Sequence, residues 1–143
     1  FWRWLMDVRA KAHAEGKTFA AYCYSAHGEN HWMRMSAQRF REVDEREVEE
    51  FISSPEWVDM FVHVKRSFAG PFGLGLKVVA PEAGFTWPEE DFDGEESVNA
   101  RREALAGDLV ARQRLLDYNS GDVQATRAVR EWMDAGAPGT TAL

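Results

Sequence analysis

Two residues one helical turn apart, Tyr118 and Asp122, carry the clearest chemistry in this sequence. At 100° per residue, the stretch from Asp108 to Met133 puts Leu115, Tyr118, Asp122, Ala125, Thr126, Val129 and Met133 on one face. Gln113, Asp117, Gln124 and Glu131 fall on the far side, as a solvated face requires. Asp122 therefore lies inside a stripe due for burial, where an unpaired carboxylate costs roughly several kcal/mol. A cation from elsewhere in the chain, a helix N-terminus or a metal ion would offset that cost. Acidic residues converging from separate elements suit Mg²⁺ or Mn²⁺, which take oxygen ligands in octahedral geometry. Two such ions about 4 Å apart can activate a water and stabilise the leaving oxygen in phosphodiester cleavage. Asp122 and Glu29 are the candidate ligands, with Tyr118 placed to hold the attacking water. Each also has a structural reading: a salt-bridged carboxylate for Asp122, a first-turn acid favoured by the helix dipole for Glu29, and a core aromatic for Tyr118.

The other reactive side chains make weaker patterns. His27 and His31 have zinc-compatible spacing on one helix, but the His-Glu-x-x-His arrangement and an evident third ligand are absent. Cys23 reads as a small core residue of a strand. Lys77, after a glycine-containing loop, is a weak candidate for a phosphate contact. Asp59 is either solvated or a partner to a ligand, and the acidic run from Glu82 to Glu96 reads as a solvated loop.

The elements that must position these groups follow from periodicity. Residues 2–15 form a helix stopped at Gly16, and Thr18 to Tyr24 is a short aromatic strand. Ser25 caps the next helix, which has Gly28 and Glu29 in its first turn and runs to about Phe40. A strand, a tight turn and a helix N-terminus make the kind of edge at which α/β proteins place ligands. Glu45 to Ile52 is a second helix, and Ser54-Pro55-Glu56 opens a third that carries Trp57, Val58, Phe61, Val62 and Val64. Leu76 to Ala80 is a short helix or turn, Pro88 to Glu96 an acidic loop, and Asn99 to Ala106 a helix separated by Gly107 from the long final one. Residues 135–143 form a flexible tail after a single domain over 1–134. One strand cannot make a sheet, so its partners are expected upstream of Phe1 or in a second copy, as a homodimer through the exposed strand.

Composition narrows the function classes. With 143 residues, 17 basic against 24 acidic, the net charge of −7 argues against nucleic-acid binding by bulk electrostatics alone. It leaves room for a nuclease, whose metal-binding carboxylates are themselves acidic. A single cysteine excludes an internal disulfide and fits a reducing, cytoplasmic compartment. No apolar run approaches the roughly 18 residues of a membrane span. The chain opens inside a helix and without methionine, which reads as a piece of a longer protein.

Tyr118-Asn-Ser-Gly-Asp122-Val-Gln-Ala-Thr126 resembles the third motif, Tyr-x-x-x-Asp, of DEDD exonucleases with the ribonuclease H-like fold. It is closer still to the Tyr-Asn-x-x-Asp-x-x-Ala-Thr signature of the ribonuclease H-like domain in predicted RecB-family nucleases. The segments Tyr22 to Glu29, Val58-Asp59-Met60, Gly73 to Pro81 and Gly84-Phe85-Thr86-Trp87 are similar to further segments of that family in the same order. The resemblance runs from about Thr18 to Met133. It implies a partial ribonuclease H-like α/β fold, mostly helical with one confident strand and with upstream strands missing. It also implies that Asp122 is a metal ligand, Tyr118 orients the attacking water and Glu29 stands at the second-motif acid. The implied activity is Mg²⁺- or Mn²⁺-dependent, 3'-5' exonuclease-like hydrolysis of DNA or RNA at a two-metal site. By analogy the substrate is DNA, and the remainder of the parent protein is a partner.

The sequence departs from the pattern in three places. Glu29 stands where these exonucleases carry aspartate, Tyr22 or Cys23 replaces a histidine, and the opening Asp-x-Glu motif is absent. The chain alone is therefore expected to be inactive. The competing expectation is a non-catalytic ribonuclease H-like module that binds nucleic acid or protein, and a third is a helical interaction domain pairing through its strand.

Overall fold

The computed structural model describes residues 1–88, 92 and 94–140, and divides the chain into two compact units, Phe1–His63 and Val64–Leu143. Helices dominate both, and a two-stranded parallel sheet lies in the first, in keeping with a partial α/β ribonuclease H-like fold.

In the first unit, α1 (Trp2–Ala14) leads to β1 (Ala21–Cys23), followed by α2 (His27–Phe40), α3 (Glu45–Ile52) and β2 (Trp57–Asp59). Asp44 caps α3, its side chain accepting the Arg46 N–H, and the helix buries Val48 and Phe51. Phe51 gathers the aromatics of the unit, with Trp2 edge-on at 5.7 Å and Trp57 tilted at 5.7 Å. The Trp57 indole, half-buried, donates to the Asn30 side-chain oxygen at 2.8 Å.

Three expectations are corrected here. Trp57–Asp59 is a strand, not the start of a helix after Pro55; the helix α4 begins only at Met60 and runs to Ser67. β1 thus finds its partner within the chain, in the register Ala21 to Trp57, Tyr22 to Val58 and Cys23 to Asp59. The parallel crossover through α2 and α3 has the length such a connection needs. Ser25 does not cap α2 with its side chain: it takes a left-handed backbone (φ 67°), and Ala26 precedes the helix with no side-chain cap bond. The Asp59 carboxylate holds the turn instead, its Oδ1 accepting the Ser25 N–H at 2.9 Å and its Oδ2 the Ala26 N–H at 3.0 Å.

The second unit contains α5 (Leu76–Glu82), α6 (Gly94–Leu105) and α7 (Leu109–Asp134). Asp108 caps α7 by accepting the Val110 and Ala111 N–H groups. α6 packs on α7 around Phe92, Ala100 and Ala111, with Ala104, Leu115 and Tyr118 at the margin. Residues 94–96, expected in the acidic loop, form the first turn of α6, which thus starts five residues before the expected Asn99; Glu89 to Asp91 and Asp93 lie outside the described residues. Acids in a first helical turn are favoured by the helix dipole, which accounts for Glu95 and Glu96 there. Beyond α7, Ala137 is buried and Pro138 accepts the Trp132 indole N–H at 3.0 Å. Residues 141–143 of the expected tail lie outside the described residues. Among the described residues, no helix is long and apolar enough to cross a membrane.

Candidate functional site

α7 presents its faces as its periodicity requires. Ala111, Gly121, Ala125, Thr126 and Val129 are buried, Leu115, Tyr118 and Asp122 half-buried, and Gln113, Asp117, Gln124 and Glu131 exposed. The group that meets Asp122 arrives from α5. That helix ends at Glu82, and two residues on Gly84, with a positive φ of 79°, lets two N–H groups turn back, Gly84 onto Pro81 O and Phe85 onto Ala80 O, both at 2.9 Å. The reversal directs Phe85 and Trp87 across the second unit, their rings edge to face at 5.1 Å.

Trp87 is buried, and its Nε1–H donates to Asp122 Oδ1 at 3.0 Å. The indole reaches this depth because residue 121 is glycine: a Cβ there would stand 2.8 Å from the Trp87 Cδ1. Glycine inside a helix costs about 1 kcal/mol relative to alanine, so the contact with Trp87 is accommodated at the expense of helix propensity.

Lys77, on α5, completes the surroundings. Its Nζ donates to Phe92 O at 2.7 Å and lies 5.4 Å from the Tyr118 ring centroid and 5.8 Å from that of Trp87, within cation–π range. The Tyr118 ring meets Phe92 edge-on at 5.0 Å, so its body belongs to the α6–α7 core. Desolvation raises the Asp122 carboxyl above its ordinary range, outweighing the Trp87 hydrogen bond and the Lys77 charge, which both pull it down. Asp122 is thus a carboxylate that the fold does not fully compensate.

The edge of the sheet in the first unit is different. Asp59 accepts three backbone N–H groups, those of Ser25 and Ala26 together with Phe61 at 2.9 Å. It is a turn-holding residue. Glu29 is exposed in the first turn of α2, close enough to Cys23 for its charge to act on the thiol. Burial, then Asp59 and then Glu29 push the Cys23 thiol up to about 12, and burial with Asp59 does the same to the Tyr24 phenol. Cys23 is buried and held as a thiol, which fits a core residue and not a nucleophile. His27 and His31 are both exposed, the latter edge-on to Trp32 at 5.4 Å.

Tyr118, Asp122 and Lys77 therefore share one neighbourhood in the second unit, while Glu29 belongs to the first. The oxygen chemistry of Asp122 suits one position in the shell of a Mg²⁺ or Mn²⁺ ion. Among the described residues, no group of three or more His, Cys, Asp or Glu converges. Periodicity singled out Asp122 but could not find its partner, because Trp87 lies 35 positions away. The signal available in the sequence was Gly121, a glycine in the middle of an otherwise well-patterned helix.

No curated protein and no solved structure gives a significant match to the chain. A model of the RNase H superfamily matches residues 8–134. Nuclease-like and nucleic-acid-binding functions are what that superfamily suggests, and divalent metals are commonly used within it. The matched stretch includes both strands, the α5–Trp87 segment and all of α7, and on it the chain belongs to the RNase H superfamily.

Proposed function

We propose that this chain is part of a metal-dependent nuclease domain that hydrolyses phosphodiester bonds in the 3'-5' exonuclease manner, with DNA as its substrate. The observation that carries the reading is Asp122, kept in a desolvated position at which its charge is only partly compensated. Perturbed carboxylates of this kind concentrate at functional sites. In this chemistry divalent ions supply water activation and charge stabilisation at the leaving oxygen. Asp122 would hold one such ion, Glu29 would take the place of the second-motif acid, and the Tyr118 phenol would orient the water. Lys77 would meet a phosphate oxygen. Because the described acids do not gather into a metal cluster, the remaining ligands must come from other residues, and the chain by itself would be inactive. The single cysteine accords with a cytoplasmic setting.

The test is Mn²⁺- and Mg²⁺-dependent cleavage of labelled single- and double-stranded DNA and RNA by the intact protein, wild type against Asp122→Ala. Cleavage lost in a folded variant supports the reading. The second reading, a non-catalytic module that binds nucleic acid or protein, is favoured by the Lys77 charge acting on Asp122, as in a structural ion pair. Its mark would be DNA or RNA bound by the wild type and left uncut under both metals.

A further inference from the structure

We propose that Trp87 is a positioning residue for Asp122, its indole N–H fixing the plane of the carboxylate that meets a divalent cation. The inference deepens the nuclease reading and rests on it. Three observations carry it. The Trp87 Nε1–H donates to Oδ1 at 3.0 Å, and among the described residues no second hydrogen-bond donor reaches the carboxylate. The indole cannot swing freely, because Trp87 is buried and its ring stands edge to face with Phe85. Gly121 leaves the space the ring occupies, since a Cβ at that position would meet Cδ1 at 2.8 Å and Nε1 at 3.1 Å.

The consequence is a carboxylate with one orientation. An aspartate with both oxygens open can bind an ion through either or through both. With Oδ1 holding one indole N–H, rotation of the group is restricted and its plane is set before the ion arrives, while lone pairs on both oxygens remain for the contact. Partners that orient metal ligands in this way are worth about 10- to 100-fold in metal affinity. The pair Trp87 and Gly121 therefore acts through Asp122 without touching substrate.

Three variants of the intact protein test this: Trp87→Phe, which keeps an aromatic ring and removes the donor, Gly121→Ala, which pushes the ring, and Asp122→Ala. Mn²⁺ affinity by calorimetry is the first readout, and the Trp87 indole N–H resonance in ¹⁵N-labelled protein is the second. Trp87→Phe is expected to stay folded and to bind Mn²⁺ about tenfold more weakly or worse. Gly121→Ala should weaken binding in the same direction and shift the indole resonance, although alanine ordinarily strengthens a helix. Asp122→Ala should shift that resonance and abolish the same binding event. Wild-type affinity in Trp87→Phe, with binding lost in Asp122→Ala, would overturn the positioning role and leave the nuclease reading standing. No Mn²⁺ binding by the wild type would overturn both.

Discussion

Asp59, the last residue of β2, and Asp122, in the middle of α7, are both half-buried aspartates, yet their surroundings differ in kind. Asp59 accepts three backbone N–H groups and thereby fixes the left-handed turn at Ser25, the approach to α2 and the start of α4. Asp122 accepts one indole N–H, feels one ammonium group, and is still desolvated enough for its carboxyl to be raised. The first carboxylate is satisfied by the backbone it organises. The second is only partly compensated by the groups around it, the setting in which perturbed carboxylates concentrate at functional sites.

The contrast can be broken most forcefully at Asp59. Replacing it with alanine strands three N–H groups and should cost about 2–4 kcal/mol, read from urea denaturation. A loss well under 1 kcal/mol would mean that water replaces the carboxylate at this turn. Gly121→Ala comes next. At an open helix position it would stabilise by about 1 kcal/mol, whereas against the Trp87 ring it should destabilise by about 1–3 kcal/mol.

Asp122→Asn is expected to leave stability at neutral pH unchanged or slightly raised, because Asn can still accept the indole N–H and carries no charge to desolvate. The half-exposed setting keeps the gain small. Its pH dependence has a fixed sign. A carboxyl raised in the folded state contributes stability that is complete below the unfolded value near 3.8 and is lost as pH rises through the folded one. The wild type should therefore lose ground to Asp122→Asn as pH rises from 3 towards neutrality, roughly over the range set by that shift. The smallest effect belongs to Glu29→Gln. Burial is the main reason the Cys23 thiol is held near 12, Asp59 the next and Glu29 the last, so alkylation of the folded protein should quicken only slightly.

What could be read from the sequence divides along the range of the interactions. The 26 residues of α7 repeat their pattern often enough to define a face, and Asp108 and Gly107 mark its start by local chemistry. Glu45–Ile52 was equally legible from its charged side, while its Asp44 cap was seen only in the structure. Trp57–Asp59 was not, because three residues cannot display an alternating pattern and Ser54-Pro55 mimics a helix start. Its extended form is set by pairing with β1, 36 positions earlier at Ala21 and Trp57. Asp122 stood out because a charge within an apolar stripe is a local contradiction. Trp87 did not, since nothing in periodicity links the end of α5 to the middle of α7. The start of α6 was misplaced for a different reason: an acid-rich run suggests a solvated loop as readily as the first turn of a helix.

The most direct test of the account pairs two quantities on one variant, the unfolding free energy and the Mn²⁺-dependent nuclease activity of the intact protein with Asp122→Asn. The account predicts stability equal to or slightly above wild type together with loss of cleavage. A marked loss of stability would contradict it by making Asp122 a structural partner of Trp87 and Lys77, and full cleavage by a stable Asp122→Asn protein would remove Asp122 from the site.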